Sequence, residues 1–394
     1  MIINHKVNFT SQIETLFSNL GSVNILKVET FITKKIICEN NHTSIKPFLF
    51  IKLTTDHEIS GWGEAFITDE SEKAIVEYLH GFTNNKNFLH AINPLILRKY
   101  IDSKDDSNSN FNLMCAFSAF EMALWDIAGK IQSKSLSEMF GCSINKPVKI
   151  YINTWSDTKT VNRDIIDYAN YIRNQKFNSI KVYPLQNRGI EKAALFLGNL
   201  RKEVGELMDI MIDLECPPNI SVALELEKKI FDYDPYWYEE PIEGNKILDL
   251  KNYKDNSNFK IVSGEKQAGI IHFSSLIKHH AVDIINPDIS AVGGIIYMLE
   301  IASIAANKNI LLSPHCWNSM AIAGSVMIHI CNIISNNEMA EIFPEYFSLT
   351  KNFSSPAFSI ESGKAILIDR PGIGVIVDEV ELKNFTKNHR VSIC

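Results

Sequence analysis

From Pro147 onward the chain repeats one rhythm of apolar and polar positions. Apolar runs of five to seven residues recur as KIYINT (149–154), SIKVYP (179–184), DIMIDL (209–214), YWYEEP (236–241), KIVSGE (260–265), DIINPD (283–288), NILLSPH (309–315) and EMAEI (338–342). They are rich in β-branched and aromatic residues and bounded by polar or turn residues, which predicts strands. Between them lie longer stretches with the three- and four-residue spacing of helices. Eight such alternations predict an α/β fold, a TIM-type (β/α) barrel over residues 147–355.

The flanks read differently. In residues 1–146, KVETFITKKII and PFLFIKLTTDHEISGWGEAF predict strands, and the pattern turns helical from SEKAIVEYLHGF to SLSEMFG. Around SAFEMALWDIAGKIQ, residues Phe117, Phe120, Leu124, Ile127 and Ala128 recur at helical steps. GWGEAF reads as a strand-end turn with Glu64 structural, and 103–110 as a polar loop. Residues 356–394 return to strands and turns, with RPGIGV as a Gly-Pro turn, and need the N-terminal α+β unit to pack on.

Composition removes several alternatives. The chain has 394 residues, 45% hydrophobic and 22% charged, enough for a large core without disulfide or metal staples. A net charge of -7 with no basic stripe excludes a nucleic-acid partner. The start shows no signal-peptide pattern, and no continuous apolar run of about 18 residues predicts a membrane span. Seven Cys residues without a CxxC pair fit reduced thiols, and so a cytoplasmic protein.

The strand ends carry the chemistry. Lys181, Asp213, Glu239, Glu265, Asp288, His315 and Glu341 close successive strands at separations of 23 to 32 residues, one strand–helix unit each. Barrel active sites lie at those ends. Acids after a single strand are ordinarily solvated loop residues, but Asp213, Glu239 and Glu265 close three strands in succession. Converging carboxylates repel unless a cation neutralises them, and an all-oxygen set suits Mg²⁺, with Mn²⁺ also open. Asp288 beside His315 fixes the imidazole tautomer and raises its basicity, which makes His315 a candidate general base.

The segments GWGEAF, ALWDIAGK (123–130), IKVYP, MIDL, WYEEP, SGE, NPDISAVGG (286–294), SPH and RPGIGV, in this order, give a specific resemblance. The chain resembles the mandelate racemase/muconate lactonizing enzyme family of the enolase superfamily, in its mandelate racemase subgroup. The resemblance implies a modified barrel under an α+β capping domain built from residues 1–146 and the returning segment 356–394. It implies Asp213, Glu239 (rather than Glu240) and Glu265 as Mg²⁺ ligands and a His315–Asp288 base. It implies Glu341, protonated and with a raised pKa, as a hydrogen-bonding electrophile on the substrate carboxylate. Homo-oligomerisation is expected on the same ground.

Two departures bear on the reaction. Where many relatives carry Lys-x-Lys, this chain has Lys181-Val182-Tyr183, and a phenol is a poor base at neutral pH. Where they often carry Asp-x-Asn, it has Asp213-Leu214-Glu215. The leading expectation is an Mg²⁺-dependent dehydratase of a sugar acid or related 2-hydroxy acid, with a small-molecule carboxylate as its partner. A racemase, epimerase or lactone cycloisomerase is the alternative within the family, and a catalytically silent barrel the alternative outside it. Cys316 reads as a packing residue. Trp317 and Asn318 are pocket candidates, and the substrate-selecting cap loops are expected near 32–45 and 66–70.

Overall fold

A computed structural model describes residues 9–394 except 19, 39–42, 91, 105–109, 156–164 and 218. Most of the expected polar loop at 103–110, and part of the cap loop at 32–45, lie outside the described residues. All eight expected strands are present, as Val148–Asn153, Ser179–Val182, Asp209–Asp213, Trp237–Glu239, Ile261–Ser263, Ile284–Ile285, Leu311–Leu312 and Ala340–Ile342. The first seven pair in chain order, and the eighth pairs in parallel with the first. A bridge between Leu312 and Asn337 closes the ring. Helices from Ile165–Asn174 to Pro344–Thr350 follow the strands, completing the α/β barrel.

Alternation along each strand decides what faces inward. Tyr151, Met211, Trp237, Val262 and Ile284, from five different strands, and Met339, just before the eighth, form a buried cluster of their own, with Leu311 packed against it. This is the barrel filling. Two positions further on, past Tyr151, Met211, Trp237, Ile284, Leu311 and Met339, the inward residues are Asn153, Asp213, Glu239, Asn286, Ser313 and Glu341. A greasy floor therefore carries a polar layer at the C-terminal mouth. Tyr238, on the opposite face, sits in the outer core, its hydroxyl 3.4 Å from the Ala223 carbonyl.

The cap is an antiparallel sheet in the order Thr386–Ile393, Ile25–Thr33, Leu49–Thr55, Ser60–Ala65. GWGEAF is thus a strand rather than a turn. A Cβ on Gly63 would meet the Ala119 carbonyl oxygen at 1.8 Å. Glycine there lets helix Phe111–Gln132 lie directly on the strand. That helix is long and apolar enough to cross a membrane, but 89% of its most apolar stretch is buried inside the protein, where it forms the cap core. The tail divides rather than returning whole to the cap. Phe358–Glu361 and Lys364–Leu367 form a hairpin that pairs with Val148 and Lys149. Those two residues precede the barrel pairing of the first strand, so their backbone groups are free to bond elsewhere. Thr386–Ile393 alone joins the cap sheet.

Candidate active site

Asp213, Glu239 and Glu265 each present a carboxylate oxygen, and the three oxygens lie within 4.8 Å of one another. Strand alternation puts Glu239 inside. Glu240 takes a left-handed turn (φ 49°) and is held outside the triad, accepting from Ser263 Oγ and Lys266 Nζ at 2.9 Å each and from Cys216 Sγ at 2.7 Å. Fully buried Lys181 reaches Glu239 at 3.0 Å, Glu341 at 2.8 Å and Asp213 at 3.5 Å. Glu239 also accepts from Asn286 Nδ2 at 2.9 Å and Trp237 Nε1 at 3.1 Å.

Burial pushes all three triad carboxyls upward. Lys181 opposes it for Asp213 and Glu239, while neighbouring carboxylates raise Glu239 further. Glu265 is raised to about 7, with His315 opposing the effect of burial. The protein's own charges leave this cluster under-compensated. An all-oxygen, buried set of this kind fits a hard divalent cation. Asp213, Glu239 and Glu265 are the residues that would hold it.

Asp288 and His315 are bridged as neighbouring residues, with His315 Nδ1 2.9 Å from Asp288 Oδ2. Asp288 also accepts from the Trp317 N–H at 3.0 Å, Asn318 Nδ2 at 2.9 Å, and the Ser290 N–H and hydroxyl at 2.8 and 2.7 Å. Burial would raise this carboxyl, but His315, Asn318 and Trp317 more than offset it and hold it low. His315 Nε2 points to the triad, 3.4 Å from Glu265 Oε2. Burial pushes the imidazole down, but Glu265, then Asp288 and Glu341, raise it to about 10.

Glu341 differs from expectation. Burial would raise it, but Lys181 and His315, with the Cys316 N–H at 2.8 Å, hold it below its ordinary value. The downward shift is the direction of an anchor for Lys181, opposite to the raised pKa expected of a protonated donor. Asn153, which the sequence reading passed over, donates to both Glu341 (2.6 Å) and the Tyr183 hydroxyl (2.8 Å). As the inward polar residue ending the first strand, it was accessible to the same rule that found the acids. Burial drives the Tyr183 phenol well above its ordinary pKa despite nearby Lys181.

These groups open on a cavity of about 310 Å³ lined by Asp213, Glu265, His315, Tyr183, Glu215, Lys266, Phe66, Trp155 and Trp317. Trp155 and Trp317 meet edge to face at 4.4 Å and form an aromatic wall. Glu215 and Cys216 both hold left-handed backbones (φ 52° and 55°), a costly arrangement for two side-chain-bearing residues. It places the Glu215 carboxylate at the cavity, 3.3 Å from Trp155 Nε1. Cys316 is fully buried and Asn318 faces Asp288 rather than the cavity. Of the expected cap loops, the 66–70 stretch contributes Phe66.

Residues 164–381 match the family described as enolase C-terminal domain-like, and residues 27–141 match the mandelate racemase/muconate lactonizing enzyme N-terminal domain. The chain belongs to the mandelate racemase/muconate lactonizing enzyme family of the enolase superfamily. Within this superfamily it is similar to the crystal structure of an enolase from the environmental genome shotgun sequencing of the Sargasso Sea. The TM-score is 0.90 at 34% identity, covering 94% of this chain and 98% of that one. The 3,6-anhydro-D-galactonate cycloisomerase of Zobellia galactanivorans superposes with a TM-score of 0.81 at 25% identity, over 93% of this chain and 100% of that one. A D-gluconate/D-galactonate dehydratase of Picrophilus torridus is 24% identical over 342 residues, 84% of this chain and 86% of that protein. Superfamily sites use a Lys or His base with Mg²⁺, which agrees with the acidic triad facing His315.

Proposed function

We propose that this enzyme dehydrates a sugar acid or a related 2-hydroxy carboxylate, starting with removal of the C2 proton. His315 Nε2 takes that proton, oriented by the Asp288 bond to Nδ1. The electron pair left on C2 becomes a C2=C3 double bond as the C3–O bond breaks. The imidazolium returns its proton to the departing hydroxide, which leaves as water, and the resulting enol tautomerises to a 2-oxo acid. Mg²⁺ held by Asp213, Glu239 and Glu265 supplies, when bound, positive charge that offsets the triad, lowers the His315 pKa and steadies charge developing on the substrate carboxylate. Lys181, kept protonated by Glu239 and Glu341 against the effect of burial, adds a fixed charge beside it. Glu341 holds Lys181 in place.

The observation that carries this reading is that, among the described residues lining the cavity, His315 is the one imidazole and is oriented for proton transfer by its bond to Asp288. Tyr183 stands where a second would be needed, and its phenol is buried, bonded to Asn153 and harder to ionise than usual. Epimerisation calls for a base on each face, whereas elimination can use one. Glu215 as an acceptor and the tryptophan wall support a polyhydroxylated chain with a C–H face to stack. The dehydratase and cycloisomerase among similar proteins act on sugar acids, which points the same way. The test is a library of sugar acids incubated with Mg²⁺ in D₂O. Release of a 2-oxo acid with loss of water is the expected result. Epimers or a ring isomer without water loss would transfer the assignment to an epimerase or cycloisomerase. Metal binding with no conversion across the library would point to a silent barrel.

A further inference from the structure

Two buried carboxylates unused by the reaction sit where cap meets barrel. Glu121, on helix Phe111–Gln132, accepts the backbone N–H groups of Ile295 and Ile296 at the start of helix Ile295–Ala306. A Cβ on Gly294 would lie 1.7 Å from its carboxylate, so glycine makes room for it. Glu64, on strand Ser60–Ala65, accepts the Ser319 N–H and hydroxyl at 2.6 Å each and the Ala323 N–H at 2.9 Å, beside helix Ile322–Ile333. Both fit the preference of helix N-termini for anions.

Glu64 differs in what lies next to its partners. Ser319 follows Trp317 and Asn318, which donate to Asp288 at 3.0 and 2.9 Å. Two residues past Glu64, the Phe66 N–H donates to the Ser290 carbonyl at 3.0 Å, and Ser290 donates twice to Asp288. The cap segment 64–66 therefore holds both loops that meet at the dyad, 313–319 on one side and 288–290 on the other. Losing the Glu64 carboxylate would leave buried donors unpaired at the root of the His315 loop. A displacement of about 1 Å at a reacting group costs on the order of 10²-fold in rate.

We propose that Glu64 is a positioning residue that holds the His315–Asp288 pair in register from the cap. The inference rests on His315 being the base. Glu64→Gln is expected to lower kcat for C2-proton exchange by about 10²-fold, with KM and Mg²⁺ affinity within about threefold. In ¹⁵N-histidine-labelled protein, the Nδ1 proton signal absent from His315→Asn should shift or broaden. Glu121→Gln removes a comparable cap–barrel bond away from the dyad, and should leave both kcat and that signal near native while lowering the melting temperature. Equal kcat losses in the two variants, or an unmoved signal in Glu64→Gln, would make Glu64 a structural latch and overturn the proposal. Should Glu64→Gln fail to fold, Ser319→Ala removes one of the three bonds and should move the signal in the same direction; no movement overturns the proposal. The signal needs no substrate. If it moves as expected while His315→Asn still exchanges the C2 proton, the positioning stands and the base assignment falls.

Discussion

The two halves of the barrel mouth use the same kinds of residue in opposite ways. Strands three to five deliver Asp213, Glu239 and Glu265, whose carboxyls are all pushed upward by burial. Strands six to eight deliver Asp288, His315 and Glu341. Here both carboxylates are held low, because amides, hydroxyls, Lys181 and His315 outweigh burial. One half is electrostatically incomplete and the other is complete. The incomplete half is suited to receive a cation. The complete half is organised before any substrate arrives, which is how a proton-transfer site avoids reorganising during the reaction.

The largest effect that could break this contrast is at His315. His315→Asn should slow C2-proton exchange by roughly 10²–10⁴-fold while calorimetric Mg²⁺ affinity stays within about threefold. A matching collapse of metal affinity would mean that the two halves are not separable. Next, Glu239→Gln should weaken Mg²⁺ binding by at least about 10²-fold. Glu240→Gln should leave it nearly unchanged and lower the melting temperature instead, since Glu240 bonds Ser263 and Lys266 outside the triad. Equal losses of affinity would undo the assignment.

A smaller effect is pH-dependent. Glu265, raised to about 7 from an ordinary 4.5, must shed its proton to bind a cation. Mg²⁺ affinity should therefore climb with pH and level off above about 7. In metal-stripped protein the same group acts in the other direction. The folded state holds a proton that the unfolded chain releases, so this contribution to stability is full below 4.5 and lost as pH rises through about 7. The Mg²⁺-induced rise in melting temperature should be larger near about pH 8 than near about pH 5.5. A pH-independent rise would show that the acidic half is not under strain. The smallest effect is expected from Tyr183→Phe, with exchange kept within about tenfold. A loss of exchange on one face alone would reveal a second base.

The barrel and its acids were legible because each strand is a short run with a sharp polar end, and spacing alone locates it. Glu239 over Glu240 rests on the resemblance; the structure supplies the physical reason, since Glu239 alternates with Trp237 onto the inner face. Glu64 was not legible beyond a structural guess. Its partner Ser319 is 255 positions away, and nothing local announces a contact of that range. The downward shift at Glu341 is not legible in the sequence for a related reason. Its charge is set by Lys181, by His315 and by the Cys316 backbone, so it belongs to an environment rather than to a motif. The tail hairpin was misplaced because an open strand edge at Val148 and Lys149 leaves no mark in side-chain pattern.

The cap sheet also has a consequence for timing. Barrel strands pair largely with the strand just before them, so they can be laid down as the chain emerges. Ile25–Thr33 pairs on one side with Thr386–Ile393, in a contact such as Glu29 with His389 that spans 360 positions. Until that strand arrives, one edge of the cap is open and Phe31 lacks the His389 ring that stacks on it at 4.4 Å. Pairings of such long sequence separation form slowly, so the cap sheet is expected to close after the barrel, an order that pulse-labelled amide exchange during refolding would check. On that order, a barrel already carrying the acids and His315 would still lack its finished roof, and turnover would report on a closed cap as well as on a formed barrel.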